Sequence, residues 1–154
     1  MQYKRILVPV DGSKNAELAV TKAVFTAQRN SAHLDIISII QTSRFLDVYG
    51  HMGSNTDYLD ITYRKTKEYV EMLKETIKEK YNFEDVSISV ESGNAAKIIA
   101  EVAPKEFDDD LIMMGATGMS ALQRTMIGSV ADYVVRVAKC DVLLVRTDLT
   151  NLLS

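Results

Sequence analysis

Hydrophobic and polar positions follow two rhythms along this chain. Short apolar runs recur at intervals, and between them apolar residues return every three or four positions. Ile6-Leu-Val-Pro-Val10 is apolar throughout, as a strand covered on both faces must be, with Pro9 near its end where a missing N–H costs least. Leu34-Asp-Ile-Ile-Ser-Ile-Ile40 is a second strand, its isoleucines arguing against a helix. Val86-Ser-Ile-Ser-Val90 alternates strictly, which predicts a half-buried strand at a sheet edge. Leu111 to Met114 and Val142 to Arg146 complete the set.

The segments between keep a helical period. Ala16, Ala19, Val20, Ala23, Val24 and Ala27 make one face of small residues, suited to close packing on a sheet. Tyr58 to Lys80 is a long amphipathic helix with Val70, Leu73 and Ile77 inward. Ala95 to Ala103 is a short helix that Pro104 should end or kink, and Val130 to Ala138 is the last. Gln41 to Asp57 shows no clear period and reads as a long loop, with a helical part as the open alternative. Strands alternating with helices predict an α/β fold, an open five-stranded parallel sheet with helices on both faces. One domain over residues 1–154 is expected, with a core at 3–146 and a short tail at 147–154.

The stretch from Asp110 to Ser129 carries the candidate chemistry. A buried strand runs into Gly115 and Gly118, and nine residues later Gly128-Ser129 opens a helix. Glycine admits a ligand close to the backbone, and the first N–H groups of a helix favour an anion. The spacing predicts a phosphate site, although tight-turn glycines and an ordinary cap at Ser129 are the plainer alternatives. Asp11-Gly12-Ser13 follows the first strand, where Asp11 fits a helix cap as well as a ligand. In a sheet of order 3-2-1-4-5, taken by analogy, these two loops meet where ligands bind such folds. Arg124 suits a terminal phosphate or open solvent equally.

Composition narrows the partners. At 154 residues, 47% hydrophobic and 25% charged, the chain can bury a real core. A net charge of −3 and a pI near 5.4 give no basic footprint for nucleic acid. The single Cys140 excludes an internal disulfide and reads as a small buried apolar residue. No run reaches the length of a membrane span and none looks like a signal peptide, so a cytoplasmic protein without a membrane partner is expected. His33 and His51 lack metal-ligand spacing, and Asp108-Asp109-Asp110 reads as a solvated turn.

Three motifs together carry a resemblance: Ile6-Leu-Val-Pro-Val-Asp-Gly-Ser13, Gly115-x2-Gly118-x9-Gly128-Ser129, and Cys140-Asp-Val-Leu-Leu-Val-Arg146. They resemble the universal stress protein family over about Tyr3 to Arg146, and the glycine motif is similar to its ATP-binding branch. The resemblance implies a Rossmann-like, adenine-nucleotide α-hydrolase-like fold and a cytoplasmic homodimer paired through the edge strand Val142 to Val145. It implies ATP as ligand, with Mg2+ or Mn2+ and with AMP or ADP as alternatives. Gly115, Gly118, Gly128 and Ser129 would hold the phosphates, and Val130 would add an N–H. Asp11 would take the ribose or a phosphate-bound metal. Pro9, Val10, Ile39 and Met114 would line the adenine slot. Ala116-Thr117 stands where the family more often has Ser-His, and Asp141 where it usually has proline.

Efficient phosphoryl transfer needs a cation clamp and a positioned base, and the chain has no Gly-x4-Gly-Lys-Ser/Thr loop. The expected function is therefore regulatory nucleotide binding in the stress response, with slow ATP hydrolysis at most and no catalytic residue assigned. A nucleotide-independent dimeric interaction module is the alternative. An adenylyl-transferring enzyme on a related fold ranks lower, because Asp11-Gly-Ser-Lys matches neither loop motif of that class.

Overall fold

The structure is a computed structural model and describes residues 2–41, 56–117 and 127–146. Its strands are β1 (Arg5–Val10), β2 (His33–Ile40), β3 (Val86–Ser92), β4 (Leu111–Gly115) and β5 (Asp141–Val145). All adjacent pairs are parallel and the order is β3-β2-β1-β4-β5, the expected one. Helices α1 (Lys14–Asn30), α2 (Thr56–Tyr81), α3 (Ala95–Lys97), α4 (Ala103–Phe107) and α5 (Ser129–Val137) cover both faces. Loop residues 42–55 and the tail at 147–154 lie outside the described residues.

Two apolar layers follow from the period-two alternation of the strands. Ile6, Val8, Val10, Leu34 and Ile36 face α1 and α2, where Ala19, Ala23 and Val24 are wholly buried and Val70 and Ile77 nearly so. Leu7, Ile37, Ile112 and Met114 face the other way, against Ile99, Ala103, Ala131 and Val134. The small residues of α1 bring it onto both β1 and β4. Ser13 is its N-cap, accepting from Ala16 N at 3.2 Å. β3 lies at a sheet edge with half its side chains exposed, as its alternation predicted.

Two expectations need correction. Pro104 does not stop its helix: α3 continues as a π turn (Ile98–Val102) and then as α4. Pro104 lacks the N–H that would continue the ladder, and the wider π turn before it, closed by Ala103 N–H to Ile98 O, takes up the mismatch. The three consecutive aspartates do not form a solvated turn either. Asp108 closes α4 in a left-handed conformation, and Asp110 accepts from the backbone N–H of Lys4 and of Arg5. Asp109 is turned inward and is only 6% exposed.

Candidate functional site

The chain leaves β1 towards β2 on one side and β4 towards β5 on the other, so a crevice opens between their carboxyl ends. On the β1 side, Gly12 adopts φ +80°, which turns the strand into α1 at a position that suits glycine. Asp11 is exposed at this turn, and its Oδ1 accepts from Ser13 N at 3.0 Å. Asp11 thus shapes the turn while Ser13 caps the helix. The Tyr69 hydroxyl reaches the same turn from α2, buried against the Gly12 backbone without a hydrogen bond of full geometry. Burial raises its pKa, and the charges of Glu17 and Asp11 add to the rise. Tyr69 was not singled out in the sequence, and its reach to Gly12 arises only from the packing of α2.

On the β4 side, Ala116 N donates to Val145 O at 3.0 Å, and Gly128 N donates to Ala116 O at 2.8 Å. These two bonds bring the start of α5 to the end of β4. Gly128 is the N-cap residue with no side-chain cap, so the N–H groups of Ser129, Val130 and Ala131 have no partner within the helix. Ser129 is exposed there. This is an anion-ready helix end facing the crevice side of the sheet.

Both glycines have structural reasons unlike the expected one. A Cβ on Gly115 would stand 2.9 Å from the Asn15 backbone, so α1 requires this glycine whether or not a ligand is present. The Gly128 amide, expected to hold phosphate, is engaged by Ala116. Asn15 Nδ2 also donates across the crevice, to Thr117 O at 3.3 Å and to its Oγ1. Gly118 and Arg124 lie outside the described residues.

Of the expected adenine contacts, Ile39 and Met114 line the sheet face under α3 and α5, and Pro9 shares that face by alternation with Leu7. Val10 does not join them. Its side chain packs towards α1, and its carbonyl accepts from Ser38 Oγ at 3.0 Å, tying β1 to β2.

At the amino end of the sheet, His33 Nδ1 lies 2.6 Å from Asp85 and Nε2 lies 2.9 Å from Ser87 Oγ. The line has the spacing of a nucleophile, base and acid. However, Nε2 also faces Asp35 Oδ1 at 3.4 Å. A ring nitrogen beside a carboxylate is best placed as a donor, which leaves Ser87 accepting and not activated. Another hollow, between Lys74, Lys78 and Glu84, is surface-open and bridged by the 3.1 Å Lys78–Glu84 pair. Among the described residues no three histidine, cysteine or carboxylate groups converge on a metal position, and no helix is long and apolar enough to cross a membrane.

The model of the Universal stress protein family matches residues 2–146. A Staphylococcus aureus (strain USA300) protein named "Putative universal stress protein" is 37% identical over 149 residues, covering 95% of this chain and 86% of its own. The solved universal stress protein UspA of Lactobacillus plantarum superposes with a TM-score of 0.78 at 28% identity, over 94% of this chain and 99% of that one. A universal stress protein solved in complex with cAMP gives 0.60 at 23% identity, over 94% and 98%, a likeness of fold.

Proposed function

The chain belongs to the universal stress protein family, and from that premise we propose that it is an ATP-binding regulatory protein of the stress response. The observation that carries the reading is the uncapped start of α5, held beside the end of β4 and across from the Asp11 turn. In this reading the N–H groups of Ser129 and Val130 and the Ser129 hydroxyl hold phosphate, with Gly118 completing the cradle as the family motif implies. Gly128 serves as the turn that delivers those donors, its own amide being spent on Ala116. Gly115 sets the floor of the cradle by letting α1 approach. The adenine lies against Pro9, Ile39 and Met114 and meets Val10 through its backbone. A family neighbour solved with cAMP supports an adenine ligand as a class.

In this reading Asp11, exposed at the turn after β1, is the carboxylate at the mouth of the site. One carboxylate does not hold a divalent ion alone, so Mg2+ or Mn2+ would arrive bound to the phosphates. It would neutralise phosphate charge, while Asp11 orients the complex. With no P-loop lysine in the chain, turnover is slow, far below a typical ~10 s⁻¹. The apolar edge strand β5, with Leu143 42% exposed, supports a homodimer through Val142 to Val145.

A nucleotide-independent dimeric module is the second reading, favoured by the Asn15–Thr117 bonds that satisfy the crevice without a ligand. Calorimetry with ATP, ADP, AMP and cyclic AMP, on wild type and on Gly118→Glu, separates the two. Saturable ATP binding lost in the variant is expected. Absence of heat with all four nucleotides, and no nucleotide retained in native mass spectrometry, would leave the second reading standing.

A further inference from the structure

The amino end of the sheet, remote from the crevice, holds more buried acid than its cations can neutralise. Asp35, on β2, is 4% exposed and receives Arg5 Nη2 on both oxygens, at 2.9 and 2.7 Å. Asp109, between α4 and β4, is 6% exposed, and neither of its carboxyl oxygens has a hydrogen-bond partner. The Arg5 Nε–H is likewise buried without an acceptor. A buried carboxylate with no donor is far costlier than a buried neutral acid, which needs only one acceptor for its O–H.

The surroundings decide which form is held. Asp35 and Arg5 face Asp109 from β2 and β1, Asp110 from its own turn, and Cys140 from the turn before β5. His33 lies behind Asp35 at 3.4 Å. One guanidinium, already given to Asp35, therefore stands against two buried carboxyl groups and the nearby Asp110. A second buried carboxyl beside an ionised one is disfavoured from ionising in its turn.

We propose that Asp109 and Asp35 form a proton-binding site, with Asp109 carrying the proton and donating it to Asp35, so that this corner of the fold answers to pH. The equilibrium is Asp109–COOH losing H+ to solvent and leaving two facing carboxylates. Burial first, then the charge of Asp35, push the Asp109 pKa up to about 8. The proton bears on the start of β4, because the next residue, Asp110, pins Lys4 and Arg5 of the neighbouring chain segment.

The direction of the stability change follows from linkage. The unfolded chain releases this proton near the ordinary value of 3.8, while the folded chain keeps it to about 8. Between those limits the folded state binds more protons, so stability falls as pH rises and levels off above the folded value.

The test uses the full chain. Carboxyl 13C resonances of aspartate-labelled wild type are followed through pH 3 to 10, alongside melting temperature for wild type and Asp109→Asn. An asparagine amide can donate to Asp35 as the protonated acid does. The expected result is an Asp109 resonance with its midpoint near pH 8, and a melting temperature that falls from pH 5 to 8 more steeply in wild type than in the variant. Comparing slopes removes every contribution common to both. An Asp109 resonance moving with ordinary carboxyls near pH 4 overturns the proposal, as do parallel melting profiles. If Asp109→Asn does not fold, the wild-type resonance alone decides.

Discussion

The backbone of Asn15 occupies the space that a side chain on Gly115 would need, with its carbonyl carbon 2.9 Å from the position of a built Cβ. The contact joins the first turn of α1 to the last residue of β4. Replacing Gly115 with alanine should force one of them to shift, at a cost of about 1–3 kcal/mol as in other overpacked sites. Urea denaturation measures it. An unchanged midpoint would mean that α1 yields freely.

Ser13 should act on stability alone. Its hydroxyl caps α1, so Ser13→Ala is expected to cost about 1 kcal/mol. Thermal unfolding reads the loss, and retained ATP affinity in the folded variant is the accompanying expectation.

Ser129→Glu separates the two states of the α5 N-terminus. A negative charge at the first helical turn favours the free protein by roughly 0.5 kcal/mol through the helix dipole. The same charge repels phosphate. A higher melting temperature with weaker ATP binding is expected from scanning and titration calorimetry; tighter ATP binding would remove this helix end from the phosphate site.

Arg5→Ala takes the one paired guanidinium from Asp35 and leaves its carboxylate buried beside Asp109. Breaking a fully buried pair on one side costs about 3 kcal/mol or more, and the partial exposure of Arg5 brings the expected cost here to about 2 kcal/mol. Chemical denaturation at pH 7 should show a loss of that order. A loss below 1 kcal/mol would mean that solvent reaches Asp35 once the arginine is gone.

Leu143→Lys tests the edge strand. Leu143 is exposed on β5, whereas the opposite edge, β3, presents Ser87, Ser89 and Glu91 among its residues. A dimer through β5 should weaken in the variant, read by sedimentation velocity; an unaltered profile would move the interface elsewhere.

Much of the fold was legible because burial is periodic. The α1 face from Ala16 to Ala27 is the buried face observed, and the alternation of Val86 to Val90 marks a true edge strand. The turn at Gly12 and the helix start at Gly128-Ser129 were also legible. What each residue does there was not. The Val10 side chain packs towards α1, away from the face shared by Ile39 and Met114, and the Gly128 amide is taken by a carbonyl twelve residues earlier. Of the two outcomes expected at Pro104, an end or a kink, the end did not occur, because a π turn carries the helix past the proline.

The succession and character of the strands and helices were determined by the chain's own periodicity and turn residues. These depend on neighbours a few positions away. That Gly115 answers to Asn15, and that Asp109 is buried against Asp35 rather than solvated beside Asp108, was decided only by the tertiary structure. Steric exclusion and desolvation act between groups that the fold brings together across tens of residues, and no local pattern encodes which groups those will be.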